Sequence, residues 1–172
     1  MANKRLSIVI DADIARSSGL SEHPTSSSAR LLLENVRENG HYIAMSPDLR
    51  IEWKKHKSLL ATRWLASMVA KKRVKFIKPD TTVNDYISDN VSDEKIKSIA
   101  IKDAHLVDAA LSQDNIIVSN DDNARRAFCV ISANYGPITA VMWFHSVTDK
   151  PFVSGYLQSL CFVPEHYYLK AF

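Results

Sequence analysis

Residues 101–121 read IKDAHLVDAALSQDNIIVSND, and this stretch decides the fold. Its first half has helical spacing. With Ile96, Ile99 and Ala100 just upstream, Leu106, Val107, Ala110 and Leu111 continue one apolar stripe. The second half changes period. Ile116-Ile117-Val118 is a short apolar run of β-branched residues, which predicts a buried strand over Asn115–Ser119 ending just before Asp121. A helix leading into a fully apolar strand is the repeating unit of a parallel sheet covered on both faces.

The alternation continues in both directions. Leu6–Ile10 predicts a buried strand stopped by Asp11. Ser26, Ser27 and Ser28 offer an N-cap for a helix through Asn39, with Gly40 as its stop. Tyr42–Met45 predicts a second strand. Ser46-Pro47 then opens one long helix to about Ala70. Val74–Ile77 predicts a third strand closed by Pro79, and Ser92 caps a helix with Asp93 and Glu94 in its first turn. That helix ends near Gln113. Another runs from Asp122 to about Ala133, and Ile138–Phe144 predicts a fifth strand. Residues 80–91 and 151–172 carry no pattern that assigns them an element. The expected fold is a three-layer α/β/α sandwich around a central, mostly parallel sheet of about five strands.

Composition narrows the class. The 172 residues can bury a substantial core, and 46% hydrophobic with 24% charged residues is ordinary for a globular chain. Four Gly and six Pro argue against a linker-rich protein. A formal charge of +3 means that any nucleic-acid surface must be a local patch. Cys129 and Cys161 form no motif and read as reduced thiols, and six scattered histidines show no zinc spacing. The apolar run before Asp11 is too short for a signal-peptide core and no run spans a bilayer, so a soluble, cytoplasmic protein with no membrane partner is expected.

The acids carry the chemistry. Asp11 ends the first strand and Asp121 follows the fourth, at the sheet edge where open α/β folds bind ligands. Asp103 follows Ile99 by four and precedes Leu106 and Val107 by three and four, so it shares the apolar stripe. A carboxylate there is costly unless paired or metal-bound. Asp108 lies well round the helix and escapes that argument. Glu52 lies in the first turns of the helix after strand two, where acids also suit the helix dipole. Carboxylates without a nearby His or Cys motif suit Mg²⁺ or Mn²⁺. One or two such ions serve phosphodiester hydrolysis. Each acid also has a structural alternative: a strand-end turn for Asp11, a helix cap for Asp121 or Asp122, and a buried ion pair for Asp103.

Four blocks then resemble the PIN-domain family and its VapC-like metal-dependent ribonucleases. They are Ile8-Val9-Ile10-Asp11-Ala12-Asp13, Glu52 after Ser46-Pro47, Lys102 through Leu111, and Ile117-Val118-Ser119-Asn120-Asp121. The resemblance implies a three-layer α/β fold and an endoribonuclease that cuts single-stranded or structured RNA with Mg²⁺ or Mn²⁺. By position it implies that Asp11, Glu52, Asp103 and Asp121 are the catalytic, metal-binding acids. Asp13 would be an auxiliary ligand and Asp122 a further metal candidate. Asp48 competes with Glu52. Residues 1–149 would form the PIN-like nuclease domain, and 150–172 a C-terminal extension packed on it. A toxin of a toxin–antitoxin pair is also implied, with an antitoxin protein and a second copy of the chain as candidate partners.

Arg50, Lys54 and Lys57 are spaced to share a helix face, and Arg125 follows Asp121; these four are the candidate RNA contacts. A solvated helix face is the alternative. Trp53 could stack on an unpaired base, whereas Trp64 sits with Leu60 and Met68 at core spacing and Trp143 lies in a β-rich run. His105, two residues after Asp103, is expected to point elsewhere and has no catalytic reading. Two other functions fit part of the pattern. Asp11-Ala12-Asp13 followed by Ser46 suits a haloacid-dehalogenase-like phosphatase, which leaves Asp103 unexplained. A non-catalytic RNA-binding or interaction module is the other.

Overall fold

The computed structural model describes residues 4–171. Five strands, β1 (Ser7–Ile10), β2 (Tyr42–Met45), β3 (Val74–Phe76), β4 (Ile116–Val118) and β5 (Met142–Phe144), form one sheet in the order β3-β2-β1-β4-β5. Every neighbouring pair is parallel. Eight α-helices among the described residues flank it: α1 (Ala12–Ser17), α2 (Pro24–Glu38), α3 (Pro47–His56), α4 (Leu59–Ala70), α5 (Thr82–Asn90), α6 (Glu94–Leu111), α7 (Asp122–Ser132) and α8 (Lys150–Ser159). The architecture is the expected three-layer α/β/α sandwich.

All residues of β1 and β4 are buried, as central strands covered on both faces must be. The α6 helix packs on both of them, with α5 and α7 against it, while α2 packs on β2 and against α4 and α8. The α2 helix ends as its glycine predicts. Gly40 takes φ +80°, its N–H bonds Arg37 O at 3.2 Å, and His41 N–H bonds Val36 O at 3.0 Å. That pair of bonds is the Schellman stop, and the left-handed residue within it favours glycine. No helix among the described residues is long and apolar enough to cross a membrane.

Several boundaries differ from the sequence reading, each for a local reason. The α2 helix begins two residues before Ser26, because Pro24 supplies a first helical residue and His23 accepts the Thr25 N–H. The single helix expected over 47–70 is two. Lys57 is extended, and Ser58 starts α4 by accepting the Ala61 N–H at 3.1 Å. Asp93 rather than Ser92 caps α6, accepting from Lys95 and Ile96. The start of the predicted fifth strand, Ile138–Ala140, belongs to a 3-10 turn over Gly136–Ala140.

Residues 80–91 hold α5, and its cap comes from far along the chain. Asp108 accepts the Val83 N–H at 2.8 Å and the Asn84 N–H at 3.3 Å. This corrects the expectation for Asp108, which is only 5% exposed and whose burial is satisfied by those donors. After β5 the chain returns as α8, where Ser154 Oγ lies 3.1 Å from Asn35 Nδ2 of α2. The tail then runs antiparallel beside β5, through the Met142–Tyr168 bridge and a Leu169 N–H to Val141 O bond of 2.9 Å. That contact covers an edge strand that would otherwise present unpaired backbone.

Candidate metal centre

The chain adds β2 and β3 on one side of β1, then crosses to place β4 and β5 on the other. The strand order therefore reverses between β1 and β4, and the crevice at their carboxyl ends is the switch point where such sheets bind ligands. Asp11 closes β1 there, its N–H bonded to Val118 O of β4 at 2.9 Å. Ser119, Asn120 and Asp121 leave β4 beside it. The first and fourth blocks of the sequence meet through this one pairing.

The meeting is tightly bonded. Buried Ser119 Oγ lies 2.7 Å from Asp11 Oδ2, to which it donates, and it accepts the Asp121 N–H at 3.1 Å. Asn120 N–H donates to Asp13 Oδ2 at 2.9 Å. Asp13 Oδ1 is buried and has no hydrogen-bond partner. Asp121 is exposed and caps α7, with Oδ1 accepting the Ala124 N–H at 2.9 Å. That role is the structural one the sequence allowed, and it leaves Oδ2 without a partner in the cap.

Asp103 comes from α6, which crosses over β1 and β4. Burial is the largest influence on it, and the charges of Asp11, Asp121, Glu52 and Asp13 follow; together they push its pKa up to about 7. Burial and the charge of Asp11 push Asp13 to about 7 as well. Burial also raises Asp11, against the Ser119 hydrogen bond and the charge of His105. Four of the acids singled out in the sequence, Asp11, Asp13, Glu52 and Asp121, thus lie near enough to act on the fifth, Asp103. Asp122 does not join them. It opens α7 and lines a separate cleft with Arg125, Arg126 and Cys129.

Glu52 reaches the group because its neighbour is pinned. Trp53 is 1% exposed and donates its indole N–H to Ile10 O at 2.8 Å, tying α3 to the end of β1. That contact also removes Trp53 from any stacking role. Trp64 and Trp143 are core residues, as their spacing predicted. Asp48 lines the same cleft as Glu52, but Glu52 is the one that acts on Asp103.

His105, set apart from Asp103 in the sequence, lies against Glu52 in the fold. Its Nε2 lies 3.4 Å from Glu52 Oε1, close enough for an ion pair, yet neither ring nitrogen has a hydrogen-bond partner and both are shielded from solvent. Two residues turn an α-helix by roughly 200°, so His105 does leave the Asp103 stripe. Helix α3 comes to meet it there, a tertiary contact with no local signal.

The basic residues divide between two clefts. Lys55, Lys78 and Lys102 line a cleft of about 690 Å³ with Glu52 and His105. Arg50, Lys54 and Lys57 do share a face, but it borders a separate, mainly apolar groove of about 500 Å³ beside edge strand β3. Arg125 is engaged elsewhere, bonding His166 O at 2.6 Å and lying 3.9 Å from Asp149.

Among the described residues, no three His, Cys, Asp or Glu side chains converge closely enough to hold a metal ion as they stand. The donor set nevertheless suits a hard divalent cation, because it is all carboxylate oxygen. The partnerless Asp13 Oδ1 is a buried acceptor that a cation would satisfy. Comparison with protein-family models gives no match, and comparison with curated proteins gives none either.

Proposed function

We propose that this protein is a Mg²⁺- or Mn²⁺-dependent endoribonuclease of the PIN-domain type, hydrolysing phosphodiester bonds in single-stranded or structured RNA. The observation that carries the reading is Asp103. It is a partly buried carboxylate on an apolar helix stripe, with its pKa raised to about 7 among four other carboxylates at the switch point. Structural acids find donors or cations, as Asp108 does. Strongly perturbed acids in a crevice favour function.

Asp11, Glu52, Asp103 and Asp121 would hold the ion, with Asp13 in support. A divalent cation bound there supplies Lewis acidity, polarising the phosphate and making water acidic enough to act as a nucleophile near neutral pH. Ser119 fixes one Asp11 oxygen, with the backbone of Ala12 and Asp13 supporting the carboxylate. Asp121 is anchored through its backbone and one carboxylate oxygen. Lys55 and Lys102 stand beside Glu52 and would draw a phosphate backbone toward an acidic centre that would otherwise repel it.

Two free cysteines suit a reducing compartment such as the cytoplasm. The toxin role, with an antitoxin protein as partner, rests on the sequence resemblance alone. The phosphatase alternative requires an available hydroxyl after β2. Ser46 is instead buried and caps α3, accepting the Leu49 N–H at 3.2 Å.

The test is incubation of the purified protein with a mixed RNA pool, with Mn²⁺ and with a chelator. Cleavage that needs the cation and disappears in Asp11→Asn is expected. No cleavage under any condition, or full activity in Asp11→Asn, overturns the reading.

A further inference from the structure

His105 has no role in the fold that explains its polarity. Its side chain is only 15% exposed, and both ring nitrogens are buried without a hydrogen-bond partner. A buried polar group left unpaired is costly, and a residue of similar size without nitrogen would fill the space more cheaply. Glu52 Oε1 lies 3.4 Å from its Nε2, and Asp11 is near enough to feel the ring as well. Glu52 is one of the two members of the acid group that no hydrogen bond anchors among the described residues. Its side chain is 39% exposed and, like that of Asp103, its carboxylate has no hydrogen bond among the described residues, whereas Ser119, Asn120 and Ala124 bond those of Asp11, Asp13 and Asp121.

We infer that His105 is a positioning residue for Glu52: its Nε2–H holds the Glu52 carboxylate turned toward the acid cluster. The neutral Nε2–H tautomer suffices as donor. Residues that orient a ligating carboxylate from behind govern metal affinity without touching the ion. At 3.4 Å the two atoms are within hydrogen-bond reach and need only alignment. The inference rests on the metal reading above and adds to it the device that orders Glu52.

Calorimetric titration of the cation-free, full-length protein with Mn²⁺ tests it. His105→Leu keeps the volume and removes the donor, and it is expected to weaken Mn²⁺ binding roughly tenfold. His105→Gln retains an N–H donor near the same point, and its affinity should stay within about twofold of wild type. In a Glu52→Gln background, His105→Leu should cost nothing further, because the group it positions is already compromised. Should the Leu variant fail to fold, His105→Met replaces it.

Unchanged affinity in His105→Leu overturns the inference while leaving the metal reading in place. So does a Gln variant as weak as the Leu variant, or a loss that simply adds to that of Glu52→Gln. A wild-type protein that binds no Mn²⁺ removes the metal reading and this inference together.

Discussion

Ser119 Oγ lies 2.7 Å from Asp11 Oδ2, a hydrogen bond across the sheet's switch point between residues 108 positions apart. The same hydroxyl accepts the Asp121 N–H, so one buried atom fixes the first acid of the cluster and the chain that carries the last. Ser119→Ala should leave both partners short of a bond, at a cost of about 1–3 kcal/mol. Chemical denaturation measures that cost. RNA cleavage should fall with it, because Asp11 loses its orientation. A variant as stable and active as wild type would show that the hydroxyl positions nothing.

Asp11→Asn separates chemistry from folding. The amide can still meet the Ser119 hydroxyl, and removing one charge relieves its neighbours, so stability should be equal or higher. Cation-dependent cleavage should drop by more than about a hundredfold. Activity assays and thermal melts on the same preparation give both numbers.

The pKa shifts set a stability profile. Asp13 and Asp103 rise from an ordinary 3.8 to about 7, so the native state holds these protons more tightly than the unfolded chain. Their contribution to stability is complete below about pH 4 and is lost as pH climbs through 7. Both groups are partly solvated and repel one another, so a combined effect of about 2 kcal/mol is a discounted figure. The cation-free protein should therefore melt roughly 4–8 °C higher at pH 5 than at pH 8. Saturating Mn²⁺ should raise the pH 8 value and flatten the difference. A melting temperature that rises with pH in the absence of cation would contradict this account of the acids.

Asp108 provides the matching control five residues along α6. Asp108→Ala removes the cap of α5 and should cost about 1–2 kcal/mol, leaving Mn²⁺ affinity unchanged. A large loss of metal binding on this substitution would extend the site beyond the residues assigned here.

The substrate path makes a further prediction. Lys55→Ala and Lys102→Ala should raise KM for RNA and each reduce the salt dependence of binding by about one ion. Lys54→Ala and Lys57→Ala, on the neighbouring apolar groove, should do so much less. Equal effects from both pairs would put RNA across both clefts.

What the sequence disclosed followed from local pattern. The switch from 3.6-residue to continuous apolar spacing around Leu111 marks α6 and β4, and Asp103 on the wrong side of α6 marks the crevice. What it hid was tertiary. The α5 helix has few apolar anchors, Val83 and Ile87 among them; Asp80 accepts the Thr82 N–H locally, but the next two N–H groups are capped from Asp108, far along the chain. Helix α1 is one short stretch pressed between Asp11 and Ser18. The break at Lys57 has a local signal in the polar run Lys54–Ser58, where Ser58 precedes Leu59-Leu60 and caps α4. His105 became visible only once α3 was folded against α6, since nothing in sequence links residues 52 and 105.

The central claim is that five carboxylates gather to share a divalent cation, with Asp103 among those that hold it. Calorimetric titration of Mn²⁺ into wild type and Asp103→Asn at pH 7.5 tests it most directly. Saturable binding by wild type that is lost in Asp103→Asn is the predicted result. No saturable binding by wild type, or an identical isotherm from the variant, would contradict it.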